Sequence, residues 1–114
     1  IVTPALAPLG GTATITLEFD ACPYYETAIE PLTYQVDVFE DPSVTNNVLP
    51  YATTAAQTSY GTLGENYEWQ HVSMEINNVT AKSRIGIGPK LADRSASGYH
   101  RMYIDNIRIT VKNY

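Results

Sequence analysis

The sequence has one cysteine, one tryptophan and three lysines, and no basic residue before position 82. A single cysteine, Cys22, excludes an internal disulfide framework and a multi-cysteine zinc site. With Phe19 and Ala21 beside it near a strand end, it is expected to be a small buried hydrophobe. No run approaches the roughly 18 consecutive apolar residues of a membrane helix. Helix signals are nearly absent, since the only candidate, 27–32, is cut by Pro31. The chain opens Ile1-Val2-Thr3-Pro4 with no basic leader, which suits a mature protein or an excised module. No G-x-S-x-G, H-E-x-x-H or phosphate-loop pattern occurs. Neither His71 nor His100 has neighbours in a triad-like pattern. The expectation is therefore a protein that is not an enzyme.

What is present suits a globular β protein. The 114 residues are 44% hydrophobic and 17% charged, with nine tyrosines. That length and balance predict one domain over 1–114 with a core of its own. The net charge of −5 disfavours nucleic acid and anionic membrane surfaces as partners. All seven basic residues follow position 80, while ten of the twelve acids precede it. The last 34 residues cannot make a second core. Their strands are expected to interleave with the acidic ones, so that charges meet across neighbours.

Period-two alternation marks the strands. In 12–21, Ala13, Ile15, Leu17, Phe19 and Ala21 share one face and Thr14, Thr16, Glu18 and Asp20 the other, with Cys22-Pro23 as the expected end. In 33–40, Tyr34, Val36 and Val38 point inward, leaving Gln35 and Asp37 toward solvent. The stretch 42–66 is irregular, with short strands expected near 44–49 and 52–58 and a break at Gly61. In 68–76, Val72, Met74 and Ile76 oppose Trp69, His71, Ser73 and Glu75, and Asn77-Asn78 is expected to turn the chain. Ile85 and Ile87 share a face in 83–88, a polar loop follows, and the last strand runs from about 100 to 112.

That last strand breaks phase. Met102 and Ile104 are apolar at even positions, Ile107, Ile109 and Val111 at odd ones. A one-residue slip exchanges the faces of a strand, so a regular strand cannot bury both sets. An extra residue at Asp105-Asn106, a β-bulge, restores both to the core and re-aims these two side chains. Strands and turns without interleaved helices predict an all-β fold, an antiparallel two-sheet β-sandwich or jelly roll.

Several of these strings resemble the galactose-binding-like jelly-roll modules attached to bacterial secreted and cell-surface proteins. They are Thr14-Ile15-Thr16-Leu17-Glu18-Phe19-Asp20-Ala21, Trp69 at a strand start, Asn78-Val79-Thr80-Ala81-Lys82-Ser83-Arg84-Ile85, and the closing Arg101-Met102-Tyr103-Ile104-Asp105-Asn106-Ile107. The resemblance implies a secreted or cell-surface location and other domains of a parent protein as neighbours. It also implies a role for Asp105 in holding a structural calcium ion, with further ligands from an N-terminal carboxylate segment. This chain departs there, since residues 1–9 contain no acid, and it is expected to begin one strand late, with either that strand lying upstream or the metal site incomplete. Calcium takes six to eight oxygens, and Asp105 supplies two at most. No other cofactor is implied.

The expected function is a non-catalytic carbohydrate-binding or accessory module that contacts a polysaccharide or glycan. An exposed aromatic ring takes the C–H face of a sugar, and Asp, Asn, Gln or Arg takes its hydroxyls. The candidates are Trp69, Tyr24, Tyr25, Tyr99 and Arg101, with Tyr51, Tyr60 and Tyr67 as further surface rings. The alternative is a structural or adhesion module that contacts protein without binding sugar. Asn78-Val79-Thr80 also matches the N-glycosylation acceptor pattern.

Overall fold

Six strands follow one another with no helix among the described residues: β1 (Ala13–Tyr25), β2 (Leu32–Phe39), β3 (Gln57–Leu63), β4 (Gln70–Val79), β5 (Arg84–Pro89) and β6 (His100–Asn113). The computed structural model describes residues 3, 11–25, 32–40, 55–90 and 100–113. The expected strand at 44–49, residues 27–31 of the helix candidate and most of the 89–98 loop lie outside these, and Leu32 opens β2. All pairing is antiparallel, in two three-stranded sheets ordered β4-β1-β6 and β3-β2-β5. The chain is an all-β sandwich.

The core lies between the sheets. Ile15, Leu17, Phe19 and Ala21 of β1 are fully buried and meet Val36 and Val38 of β2 with Ile85 and Ile87 of β5. Residues after position 80 supply β5 to one sheet and β6 to the other. The interleaving expected from the charge segregation is therefore present in both layers. Arg108 of β6 lies opposite Glu18 of β1, and Lys112 of β6 donates to Glu75 of β4.

The last strand is bulged where its phase breaks. Pairing passes from Glu18–Arg108 to Asp20–Asp105, so Phe19 alone faces Asn106 and Ile107. Asn106 takes φ of 54°, a left-handed conformation that asparagine tolerates better than most residues. Met102, Ile104, Ile107 and Ile109 consequently all pack on the core. Val111, of the same series, is 40% exposed.

Four local expectations are corrected. β1 does not end at Cys22-Pro23 but runs to Tyr25. Both polar groups of an antiparallel residue point to one side. The Pro23 carbonyl accepts the N–H of Tyr67 at 2.9 Å, on the side where β4 pairing has already ended at Ala21–Gln70. Its missing N–H therefore costs no ladder bond. Asn77-Asn78 does not turn the chain. It forms a second bulge opposite Thr14, with Asn78 at φ 57°, and the turn comes at 80–83, closed by Ser83 N–H to the Thr80 carbonyl. Asp37 does not face solvent. Together with Gln35 and Phe39, it is buried on the outer face of its sheet, where the Gln35 amide and the Thr58 hydroxyl donate to its carboxylate at 2.8–3.0 Å.

The fourth correction concerns Gly61, which lies inside β3 opposite Tyr34 rather than breaking the segment. The Tyr34 ring covers it so closely that an added Cβ would sit 2.2 Å from Cζ and Oη. Tyr34 in turn packs edge-on to Phe19 with centroids 5.9 Å apart, so the ring cannot withdraw without disturbing the core. Gly61→Ala is expected to cost about 1–3 kcal/mol, as overpacking does. Urea unfolding checks this, and an unchanged midpoint would show that the ring moves freely.

Candidate functional site

The outer face of the β4-β1-β6 sheet carries the polar half of every alternation in its strands. Along β1 that face presents Glu18, Asp20, Cys22 and Tyr24 in turn. β4 adds His71, Ser73 and Glu75. β6 adds Arg101, Tyr103 and Asp105 before the bulge and Arg108, Thr110 and Lys112 after it. The bulge lets Asn106 join them, because its left-handed backbone turns that side chain to the same face.

Five of these residues line an open depression: Glu18, Asp20, His71, Asn106 and Arg108. His71 sits opposite Asp20 in the β1–β4 register. Its Nδ1 lies 2.9 Å from Oδ1 of Asp20 and its Nε2 3.1 Å from Oε1 of Glu18. Asn106 Nδ2 donates to the other Asp20 oxygen at 2.7 Å. The carboxyl of Asp20 is held below its ordinary value of 3.8 by the Asn106 hydrogen bond first and the His71 contact second. The two carboxylates raise His71 above its ordinary 6.5, Asp20 contributing most.

These directions set a pH window for stability. Protonated His71 stabilises the fold fully below about 6.5, and the effect is lost as pH rises through its raised value. Ionised Asp20 stabilises above 3.8, and the effect is lost as pH falls through its lowered value. Asp20→Asn is therefore expected to lower the urea midpoint most between about pH 4 and 6.5. The difference should shrink on the alkaline side, and a pH-independent difference would show that the ion pair contributes nothing.

A second cluster adjoins the first along β1. Tyr24 packs edge-on to Tyr67 with centroids 4.6 Å apart and to Tyr103 at 6.3 Å. All three rings stay open to solvent, between 42% and 57% exposed. Tyr67 holds φ of 66°, a strained setting for a bulky residue, and its N–H is tied to Pro23. The Gln70 amide donates to the carbonyls of Glu65 and Glu68, bracing the turn that carries Tyr67. Trp69, at the end of that turn, is 56% exposed.

Of the residues singled out from the sequence, Tyr24 and Trp69 are exposed as expected, and Arg101 lies opposite Tyr24 on β6. The Tyr25 side chain and Tyr99 lie outside the described parts. Asp105 lies opposite Asp20, and its Oδ1 accepts the N–H of Asn106 at 2.8 Å. Both oxygens of Asp20 are also engaged, one by Asn106 and one by His71. The described residues contain no group of three or more His, Cys, Asp or Glu able to hold a metal. Glu18, Asp20, His71, Arg108 and Tyr103 were not singled out as binding residues from sequence. Only the bulge pointed toward Asn106.

Lys90 stands over the ring of Tyr60 at 5.5 Å, on the other sheet and apart from this face. Comparison with protein-family models, curated proteins and solved structures finds no match, and the chemistry of this sheet face carries the functional argument.

Proposed function

We propose that this chain is a non-catalytic carbohydrate-binding module of a larger secreted or cell-surface protein, of galactose-binding-like jelly-roll type, and that it binds glycan on the outer face of the β4-β1-β6 sheet. The observation that carries this is the pairing of an exposed tyrosine cluster with a hydrogen-bonding cluster on the same strand face. Tyr24, Tyr67 and Tyr103 offer apolar ring surface to the C–H face of a sugar. Glu18, Asp20, Asn106 and Arg108 offer acceptors and donors to its hydroxyls. From Asp20 to Tyr24 along β1 is about 13 Å at the usual rise per strand residue, more than one sugar ring spans. An oligosaccharide lying along β1 would engage both clusters.

Two further points support a binding role over a hydrolytic one. Asp20 is pushed toward the ionised form, opposite to what a proton-donating carboxylic acid needs. The turn bearing Tyr67 is braced in advance, which reduces the ordering cost of binding.

A glycan array of plant and host polysaccharides, followed by calorimetry on the hits, tests the proposal. Tyr24→Ala is expected to weaken binding at least about tenfold, because it removes the ring that contacts both of the others. Absence of any glycan hit, or an affinity indifferent to this change, would remove the proposal. A protein ligand lost with Tyr24→Ala would instead favour the adhesion role.

A further inference from the structure

The two nitrogens of the His71 ring each face a carboxylate oxygen, Asp20 at 2.9 Å and Glu18 at 3.1 Å. A neutral imidazole has one N–H and one lone pair. It can satisfy one of these contacts, and in the other it sets a lone pair against an anion. Only the imidazolium donates to both. The geometry is therefore that of the protonated ring, and the raised proton affinity of His71 agrees with it.

The surrounding charges leave His71 as the group that changes state near neutral pH. From β1 it faces Glu18 and Asp20. From β6 the charged neighbours on this face are Asp105 and Arg108, and the neutral Asn106 donates to Asp20. On β4 itself Ser73 follows, and Glu75 beyond it is paired with Lys112. Arginine stays charged across the accessible range, and ordinary carboxylates are ionised well below neutrality.

We propose that His71 is a proton gate on this binding face: as an imidazolium it occupies oxygens of both Glu18 and Asp20, and on losing its proton it releases one of them to accept the hydroxyls of an uncharged sugar. The inference rests on the glycan-binding role above and adds a ligand class and a pH dependence to it. With the ring neutral, Glu18, Asp20, Glu75 and Asp105 outnumber Arg101, Arg108 and Lys112 by one, so the face carries net negative charge. Sugars bearing carboxylates are repelled, while neutral sugars with adjacent hydroxyls find free acceptors.

Two measurements on the whole chain test this. Nitrogen-resolved NMR of the His71 ring is expected to show both nitrogens protonated at about pH 6, with the transition above 6.5. A glycan array and calorimetry at about pH 5.5 and 8 are expected to give tighter binding of neutral glycans at the higher pH, by up to about tenfold per pH unit below the His71 transition. His71→Gln cannot titrate and is expected to flatten that profile. A singly protonated ring at pH 6, equal or weaker affinity at high pH, a profile still sloped in His71→Gln, or a preference for acidic glycans would overturn the gate while leaving sugar binding in place. Failure of every glycan at both pH values would remove both.

Discussion

Deleting Asn106 is expected to leave the domain folded with β6 straightened into a regular strand, whereas replacing Asn106 with valine should destabilise it. Asn106 is the surplus residue that the bulge absorbs, so that Met102 and Ile104 share the core with Ile107 and Ile109. With it removed, Ile104 and Ile107 stand two positions apart, and plain alternation keeps both pairs inward. Arg101, Tyr103 and Asp105 then stay on the outer face together with Arg108, Thr110 and Lys112. Phe19 faces Ile107 alone, and the pairing on either side keeps its register. The loss is the Asn106 hydrogen bond to Asp20.

Asn106→Gly keeps the residue count and suits the left-handed φ of 54°. It loses the hydrogen bond to Asp20, which at this exposed site contributes little. Asn106→Val keeps the count too but forces a β-branched residue into that conformation, at about 1–3 kcal/mol. Circular dichroism and urea unfolding of the three variants check the order. An unfolded deletion variant would show that the bulge itself, and not only the phase it restores, is required.

Phe19→Ala is expected to cost about 3–5 kcal/mol, the usual range for truncating a buried aromatic. Phe19 is fully buried in the central strand, where it pairs with Val72 on β4 and faces the bulge on β6. Across the sheets its ring meets Tyr34 edge-on at 89°. Removing it opens a cavity between the layers and frees the ring that covers Gly61, so the second sheet loosens as well. Phe19→Leu keeps most of the volume and should lose less. Denaturant midpoints decide the matter, and a loss below about 1 kcal/mol for Phe19→Ala would place the centre of the core elsewhere.

Much of the fold was legible along the chain because a strand side chain can face only two ways. The alternation of 13–21 identified the buried face of β1, and the phase break between Ile104 and Ile107 located the bulge before any strand partner was known. Alternation misled where its usual companion, one wet face, failed. Asp37 was assigned to solvent, yet the outer face of β2 is buried at Gln35, Asp37 and Phe39. Phe39, a large apolar residue on the polar register, was the available warning. Gly61 and Pro23 read as breaks in the sequence because each disfavours a generic strand. Here a tyrosine ring covers the first, and the second has its missing donor on a side where no ladder continues.

The candidate site divides along the same line. Which residues point outward was determined by the sequence alone: Glu18, Asp20, His71 and Tyr24 each occupy the polar phase of a strand, and Asn106 occupies the surplus position of a bulge. Which of them meet was decided only by the tertiary structure. His71 stands 51 residues from Asp20, and Asn106 stands 86 residues from it. They converge because β1 is paired with β4 on one side and β6 on the other. Period-two patterning specifies the faces of each strand, but a strand's edges are backbone amides and carbonyls that carry no side-chain pattern. The choice of neighbours, and with it the carboxylate–histidine–asparagine cluster, comes from closing the core between two sheets.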